Sequence, residues 1–536
     1  MKFKKKILFF LFFTFLSSSL LYSVAPHISG KYYKNKPKIK PKSLVDVSYL
    51  KLKGAPRKEI AKTLGTVGTK KVAVIIVDFE SLQFENLKEA NTTFNKLKEY
   101  YSEVSYGQLQ LDITFFYQGG STKTLTATAT PYRMSNSVSY YAQNTQESLS
   151  QLVKDAISTS SVRSSDYDYV MVLHAGYGAE SLKPPDGHIW SVYVSWDDGP
   201  VNGFTDGTIV PEKENNASPI GVICHEFGHQ LGLPDLYYQS PDGKQYSIVG
   251  SWCLMDYGTW LGNPQGSQPA HLSAWCKDFL SWVDLEIVSS TKRNVQLPYV
   301  ESSSSIIKIE ILTADNPQKE YFLVEYRRKT LFDSSLPGEG VLIWKIDDNI
   351  AKNLSRLNMN NINSGDPHYG VDLIEADRTP VEWNYGDSGD PFPGIENVIN
   401  FLPSDYSLFA SNGKIIPVYL TDINHSGIYA NFNILDKLEI EGLVRNEVRI
   451  GNNYTYGGRL MSIGFNLSEP SEIEILVYNL SGRLVKNFGK MYFSSGEHTI
   501  KWYAVDDENK NLSYGLYFLV VKGKNIHKVE KFIIKK

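Results

Sequence analysis

The stretch from His225 to Asp235 constrains the fold of this 536-residue chain more than any other feature of its sequence. It reads His-Glu-Phe-Gly-His-Gln-Leu-Gly-Leu-Pro-Asp, so two histidines stand four residues apart and a glutamate follows the first. Residues four apart on a helix lie on the same face, one turn from each other. Two imidazoles placed in this way can bind one cation, with the carboxylate beside it aimed at a bound water. The spacing predicts a helical zinc site with His225 and His229 as ligands and Glu226 as the general base.

Both ends of this helix carry recognisable signals. Ser218 can cap the helix and Pro219 suits its first position. Three apolar residues share the face opposite the histidines: Ile223, Phe227 and Leu231. Gly232 permits the left-handed turn that ends a helix, after which the chain can double back. The sequence therefore predicts Asp235 as a third metal ligand, since a carboxylate oxygen binds zinc at about the same distance as a histidine nitrogen.

A second motif supports this site. Residues 250–258 read Gly-Ser-Trp-Cys-Leu-Met-Asp-Tyr-Gly and resemble the methionine turn of the metzincins, in which a methionine forms an apolar floor beneath the metal. The resemblance implies that Met255 is this floor and that Tyr257 donates a hydrogen bond to the oxyanion during catalysis. The alternative is a core methionine beside a packed tyrosine. Asp235 departs from the metzincin pattern, which usually has a third histidine at that position.

Beyond these motifs, residues 70–430 resemble the immune inhibitor A family of secreted bacterial zinc metalloproteases. The resemblance is carried by the following segments: 74–79, 101–107, 271–275, 320–327 and 336–344. It implies a metzincin-like catalytic fold, protein substrates and a zinc cofactor. The family's ligand and base roles fall on His225, Glu226, His229 and Asp235, all of which are present.

The whole chain divides into five segments. Residues 1–25 have the basic start, apolar centre and small residues of a secretory signal peptide, and residues 26–70 read as a basic pro-segment or a linker. Alternating strands and helices predict a catalytic domain of the α+β or α/β class, with a mixed sheet, over residues 71–285. Residues 286–437 read as a β-rich accessory region. Short alternating strands predict an Ig-like β-sandwich over residues 438–536.

This C-terminal sandwich resembles the Ig-like domains of flagellar hook-assembly proteins and the tails read by type IX secretion machinery. The resemblance implies a partner in the secretion machinery or at the cell surface. The alternative is an ordinary binding or spacer sandwich. We expect a protein that is secreted to the extracellular space, either released or held at the cell surface.

Charge, cysteine count and acidic loops bear on the partners, disulfides and further metal sites of the protein. The formal net charge of −3 gives no general attraction to nucleic acid, so we expect no nucleic-acid partner. Three cysteines are too few for a disulfide scaffold, although Cys253 and Cys276 could pair in an oxidising compartment. Acidic, glycine-containing loops at residues 242–243 and 386–390 read as plain turns or as sites for a structural Ca²⁺.

Together these features predict a monomeric, secreted zinc endopeptidase that acts on extended polypeptides. Water activated by zinc attacks the peptide carbonyl, and Glu226 removes the proton of that water as the general base. The alternative is a non-catalytic, surface-attached binding protein that retains the protease fold. Intact residues at all four positions of the zinc motif favour the enzyme.

Overall fold

A computed structural model describes residues 65–535, apart from 181–187, 215, 241–244, 365–367, 407, 437–447, 451–453, 457, 468–469, 495 and 525. The predicted signal peptide, most of the predicted basic segment and the acidic loop at 242–243 lie outside the described residues. Among the helices that are described, none combines the length and the apolar character needed to cross a bilayer.

The first part of the described chain is a mixed sheet with helices on both faces. Its strands are β1 (Gly68–Asp78), β2 (Leu109–Tyr117), β3 (Gly120–Thr122), β4 (Tyr132–Arg133), β5 (Tyr169–Tyr177), β6 (Val192–Ser195) and β7 (Asp206–Lys213). The order is β3-β2-β1-β5-β7-β6, with β4 beside the end of β1. The central pairs are parallel, whereas β3 and β6 run antiparallel to their neighbours. The predicted mixed sheet is therefore present.

Four helices accompany this sheet. They are α1 (Glu89–Val104), α2 (Val138–Tyr141), α3 (Gln146–Ser160) and α4 (Ile220–Gln230). Alternate residues of β1 face opposite ways: Val74 packs in the core that contains α1 and α4, and Ile75 packs in the core that contains α3. Burial on both faces explains why β1 is a continuous apolar run rather than an alternating one.

A region of short elements follows α4 and leads into the accessory region. It contains β8 (Tyr238–Gln239), β9 (Gln245–Tyr246), 3₁₀ turns at Gly250–Trp252 and Tyr257–Trp260, and α5 (Ala274–Phe279). The next strands are β10 (Asp284–Val288), β11 (Lys292–Pro298), β12 (Ser305–Glu310), β13 (Glu320–Arg327), β14 (Gly340–Asp347), β15 (Val371–Ile374), β16 (Val418–Ser426) and β17 (Tyr429–Asp436). They form two sheets, ordered β10-β12-β13-β14-β15 and β11-β17-β16.

Short helices connect the strands of this accessory region. They are α6 (Asp348–Ala351), α7 (Leu354–Asn358) and α8 (Val381–Asn384), with 3₁₀ turns at Leu331–Ser335 and Pro403–Tyr406. A single apolar core runs from β1 and α4 into β13, β14 and Val381. The accessory region therefore packs as a direct continuation of the sheet that carries α4.

A buried arginine ties the two regions together. Arg327 lies at the end of β13 with a fully buried side chain. Its guanidinium binds both carboxylate oxygens of Asp333 at 2.7 Å and donates to the carbonyl oxygen of Trp252 at 3.0 Å. Because Trp252 belongs to the methionine turn of residues 250–258, this contact anchors that turn to the accessory sheet.

The C-terminal part of the chain consists of strands. They are β18 (Val448–Ile450), β19 (Tyr454–Tyr456), β20 (Met461–Leu467), β21 (Ser471–Asn479), β22 (Leu484–Phe493), β23 (Gly496–Trp502), β24 (Gly515–Gly523) and β25 (Ile526–Lys535). One sheet has the order β18-β20-β23 and the other β19-β25-β24-β21-β22. Side chains from both sheets, such as Phe465 and Val477, share one core that is separate from the other cores.

Candidate metal centre

Helix α4 carries three of the predicted site residues and lies in the interior of the protein. It begins at Ile220, and Pro219 occupies the cap position without a side-chain hydrogen bond. The helix thus starts one residue later than predicted, and the Ser218 hydroxyl accepts a 3.4 Å bond from the Ile220 amide. All residues from 221 to 230 are buried. A helix buried on every side is held by its surroundings, so its position is set by close contacts on each face.

The sharp turn after α4 brings a carboxylate back to the two histidines. Gly232 has φ +97°, a conformation that glycine adopts without strain. Beyond it, Asp235 Oδ1 lies 3.1 Å from His225 Nε2 and 3.3 Å from His229 Nε2. The two imidazole rings are 4.8 Å apart between centroids and nearly perpendicular. The structure therefore brings all three predicted ligands to one buried point.

The donor atoms at this point suit a zinc ion. His225 Nδ1 lies 2.9 Å from the carbonyl oxygen of Leu254, and His229 Nδ1 lies 2.8 Å from that of Leu233. A ring that donates from Nδ1 has its Nε2 lone pair available for a metal. Two imidazole nitrogens and one carboxylate oxygen form the usual three-ligand set of catalytic zinc sites, which leaves a fourth position for water.

The charges at the site agree with this ligand set. Burial alone would raise the pKa of Asp235, but the facing imidazoles of His229 and His225 outweigh it and hold that pKa below its ordinary value. Burial lowers the pKa of His225, which favours the neutral imidazole. An ionised carboxylate beside a neutral imidazole is the state in which both groups can bind a cation.

Glu226 lies beside the ligands. Ligand atoms of His225, Glu226 and His229 fall within 4.8 Å of one another. Glu226 Oε2 accepts a 2.7 Å hydrogen bond from the amide of Tyr193 in β6, whereas Oε1 has no hydrogen-bond partner among the described residues. Burial, followed by the charges of Asp235 and Glu180, raises the pKa of Glu226 well above its ordinary value. This carboxyl group therefore has one oxygen fixed and the other available.

Met255 lies directly against helix α4. A Cβ atom added to Gly228 would come within 2.8 Å of Met255 Sδ, so the thioether is in contact with the backbone between the two histidines. The Met255 carbonyl oxygen accepts a 2.8 Å bond from the amide of Leu236, next to Asp235. This turn is held by Asp256, whose carboxylate accepts hydrogen bonds from the backbone amides of residues 248, 249, 250 and 257.

Tyr257 packs beside helix α4. It is 8% exposed and clusters with Val222 of the helix. Its ring lies 4.6 Å from that of Tyr385, between centroids, and burial raises its pKa to about 12. The phenol is therefore protonated at neutral pH and able to donate a hydrogen bond.

Two further residues contact the ligands, and no local pattern in the sequence indicates either. Thr259 Oγ1 donates to the carbonyl oxygen of Leu254 and lies 3.2 Å from His225 Nδ1. Asn360, from the accessory region, forms two hydrogen bonds with Asp235. Contacts of this kind join residues far apart in sequence, which a single sequence cannot reveal.

Two other histidines and the two cysteines that could pair lie outside the ligand cluster of helix α4. His174 is buried with Nδ1 2.9 Å from the carbonyl oxygen of Ala175, and His188 Nδ1 is 3.1 Å from that of Tyr177. Neither belongs to a metal-ligand cluster in the described part of the chain. Sγ of Cys253 is 4.0 Å from Sγ of Cys276, and both thiols are free.

The acidic loop at 386–390 contributes to a second cluster of carboxylates. Its members are Asp377, Asp387 and Asp390. Asp390 Oδ2 accepts bonds from the Trp252 indole at 2.7 Å and from the Asp387 amide at 2.8 Å. The bond to Trp252 attaches the loop to the methionine turn.

Comparison with known proteins gives two domain matches. Residues 166–283 match the family described as immune inhibitor A peptidase M6, catalytic domain, and residues 460–535 match the secretion system C-terminal sorting domain. The first match contains every predicted ligand, the predicted base and the methionine turn. The second covers most of the C-terminal pair of sheets.

Similar proteins include two curated relatives. Immune inhibitor A of Bacillus thuringiensis subsp. alesti is 34% identical over 150 residues, which are 24% of this chain and 21% of the relative. Pre-pro-metalloprotease PrtV of Vibrio cholerae serotype O1 is 25% identical over 304 residues, which are 43% of this chain and 32% of the relative. The chain thus spans about a fifth to a third of the length of these relatives.

A solved structure, wild-type OgpA from Akkermansia muciniphila, is similar over 87% of this chain and 92% of its own, at 10% identity. The TM-score of this comparison is 0.24. The two domain matches confirm the predicted resemblance, and the sorting domain confirms the prediction of an exported protein. Residues 166–283 are therefore similar to the catalytic domains of the immune inhibitor A peptidase M6 family, and residues 460–535 are similar to secretion system C-terminal sorting domains.

Proposed function

We propose that this protein is a secreted zinc metalloendopeptidase that hydrolyses peptide bonds in extracellular proteins. The observation that carries the proposal is the buried convergence of His225, His229 and Asp235 on one point, beside a glutamate with one oxygen available. This convergence lies within the peptidase M6 match, and the matched relatives include a protein named as a metalloprotease.

In this proposal His225 Nε2, His229 Nε2 and Asp235 Oδ1 hold the zinc ion, and Met255 is the apolar floor of the site. A zinc ion bound there would lower the pKa of a water molecule and polarise the substrate carbonyl. Glu226 is assigned as the base and not as a ligand, because its Oε1 has no hydrogen-bond partner among the described residues and can accept a proton. Asp235 Oδ1 faces both histidines and is the better third ligand.

Glu226 moves one proton in each direction during the reaction. Oε1 accepts a proton from the attacking water as the water oxygen bonds to the carbonyl carbon. The protonated carboxyl group then gives that proton to the amide nitrogen as the carbon–nitrogen bond breaks. Burial raises the pKa of Glu226, which favours the protonated carboxyl group that donates in this second step. A bound cation would favour the ionised form that the first step needs. Tyr257 is assigned as a donor to the oxyanion that forms between these steps.

Extended polypeptides are the proposed substrates. Strand β6 is at the edge of its sheet, and the amide of Tyr193 in this strand binds the proposed base. A substrate chain that runs along an edge strand gains main-chain hydrogen bonds that do not depend on its sequence. Strand β6 would thereby place a peptide bond next to Glu226.

The parts of the chain outside the catalytic domain fit an exported enzyme. The sorting-domain match supports a partner in the secretion machinery or at the cell surface. A metzincin-like fold for residues 71–285, an Ig-like sandwich for residues 438–536, and a monomeric state remain parts of this proposal. A structural Ca²⁺ at the carboxylate cluster around Asp390 stays a prediction.

The proposal can be tested with residues 26–536, which lack only the predicted signal peptide. Zinc content and casein hydrolysis are measured for the wild type, for Glu226→Gln and for Tyr257→Phe. The matched control is Glu99→Gln, whose carboxylate is 58% exposed on α1. We expect one zinc per chain in all four proteins, wild-type activity in the control, and a loss of at least about 100-fold in Glu226→Gln.

Tyr257→Phe separates the second assignment from the first. We expect a lower kcat with unchanged zinc content, since the phenol is assigned to the oxyanion and not to the metal. Wild-type protein that contains no zinc, or an active Glu226→Gln variant, would refute the proposed function. An unchanged kcat in Tyr257→Phe would remove only the role of Tyr257.

A further inference from the structure

A buried asparagine from outside the matched catalytic domain contacts the third proposed ligand. Asn360 follows α7 in the accessory region, 125 residues after Asp235. Its side chain is 1% exposed and its φ is +49°. Asparagine tolerates this left-handed conformation better than most residues. The residue therefore stands at a tight turn that points its amide group into the protein.

The amide of Asn360 matches both polar groups that Asp235 presents to it. The backbone N–H of Asp235 donates to Asn360 Oδ1 at 2.7 Å. Asn360 Nδ2 donates in return to Asp235 Oδ2. Only a side chain with a donor and an acceptor on the same planar group can make both bonds, and the two partners fix which atom is nitrogen.

These bonds divide the two oxygens of the Asp235 carboxylate between different tasks. Oδ2 is bound to Asn360, whereas Oδ1 faces His225 and His229. A carboxylate whose outer oxygen is held in this way cannot rotate freely. Its inner oxygen is therefore presented to a metal in one orientation, as expected for a ligand that binds through a single oxygen.

The turn that carries Asn360 is itself held in place. Asn363 Nδ2 donates to the carbonyl oxygens of Leu236 and Val371, both at 2.8 Å. The Val371 amide donates to Asn363 Oδ1 at 2.9 Å. The turn is thereby fixed to β15 on one side and to the chain beside Asp235 on the other. The position of Asp235 therefore depends, through Asn360, on the position of the accessory sheet.

We propose that Asn360 is a positioning residue of the metal centre: it orients Asp235 so that only Oδ1 binds the zinc. The catalytic domain of residues 166–283 then lacks one part of its own site, which the accessory region supplies. This inference rests on the proposed function, because it assigns Asp235 as a zinc ligand.

The test measures zinc affinity by competition with a chromogenic chelator, in the full chain without its predicted signal peptide. The variants are Asn360→Ala and Asn360→Asp. Asn360→Asp keeps the shape and the acceptor but has no donor for the Asp235 carboxylate. The control Asn358→Ala changes an exposed residue at the end of α7, two positions before Asn360. Asn363→Ala loosens the turn without removing either bond to Asp235.

We expect zinc affinity to fall about 10- to 100-fold in both Asn360 variants and to stay within about threefold of the wild type in Asn358→Ala. We also expect the visible spectrum of the Co²⁺-substituted protein to shift in the Asn360 variants only, because the orientation of a ligand changes. In Asn360→Asp, kcat should fall while KM is retained.

Each contrary result has a distinct meaning. Wild-type zinc affinity and an unchanged Co²⁺ spectrum in the Asn360 variants would overturn the inference and leave the proposed function standing. Failure of both variants to fold would also overturn it, since the residue would then serve the fold. A wild-type protein without zinc would refute the proposed function, and the inference with it.

Discussion

The contact between helix α4 and the turn after Met255 gives a prediction that can be worked out from the backbone. A Cβ atom added to Gly221 would lie 1.9 Å from the carbonyl oxygen of Thr259. An ordinary contact between such atoms needs more than an additional ångström, and a backbone oxygen cannot rotate away. Gly221→Ala must therefore push α4 away from the residue that also contacts His225 Nδ1.

Two effects of Gly221→Ala oppose each other. Alanine in place of glycine inside a helix favours the helix by about 1 kcal/mol. Overpacking in a rigid core costs about 1 to 3 kcal/mol and more where the backbone must move. Because the clash is with backbone, the second effect should dominate. We expect the free energy of unfolding to fall by about 2 kcal/mol, which corresponds to a loss of roughly 3 °C in Tm for a cooperative unit of roughly 370 residues.

Gly228→Ala is the matched control in the same helix. Its added Cβ would meet Met255 Sδ at 2.8 Å, the far part of a flexible side chain that can adopt another rotamer. We expect its stability to stay within about 1 kcal/mol of the parent. Thermal unfolding with a chelator present, in a Glu226→Gln background that prevents self-cleavage, measures both variants. If Gly221→Ala were as stable as its parent, the argument from the Thr259 contact would be refuted.

Two other predictions concern buried charge. Burial lowers the pKa of His174 to about 4, below the ordinary 6.5, so the folded state favours the neutral ring. The free energy of unfolding should therefore decrease as pH falls from 6.5 to 4, by up to about 3 kcal/mol. Urea unfolding of the chelator-treated protein at pH 7.5 and 4.5 tests this prediction. The variant His174→Gln should lose that part of the pH dependence, and an identical pH dependence in the variant would contradict its assignment to His174. Arg327→Met should destabilise the protein by about 3 to 5 kcal/mol in urea unfolding, because the buried carboxylates of Asp333 and Glu325 lose the cation that pairs with them. Its control, Arg328→Met, breaks a half-exposed pair with Glu339 and should cost less than about 1 kcal/mol, so equal losses in the two variants would count against the role of burial.

Helix α4 illustrates what a single sequence can predict. Helical periodicity places His225 and His229 on one face whatever surrounds them, and Gly232 marks the turn that brings Asp235 back. Both inferences use only neighbours in sequence, and the structure places these groups together. The start of the helix was predicted one residue early, because Ser218 and Pro219 each suit more than one position at a helix N-terminus.

The contacts that complete the site could not be predicted in this way. The hydrogen bonds of Tyr193 to Glu226 and of Asn360 to Asp235 join residues 33 and 125 positions apart. They depend on how β6 and the accessory region pack, and no spacing rule connects such residues. The separation of Cys253 and Cys276 is of the same kind, since it follows from the packing of α5 against the methionine turn.

The position of β25 in the C-terminal sheet has a consequence for the order of events during synthesis. Strand β25 lies between β24 and β19, and it is the partner through which β19 joins that sheet. A ribosome releases residues 526–535 after all the others of the sorting domain. Until then β24 exposes an unpaired edge, the kind of surface that recruits other chains, and β19 has no partner in this sheet. A nascent chain halted before residue 526 would therefore carry an aggregation-prone half-sheet, and this domain can acquire its native form only after translation has passed its last strand.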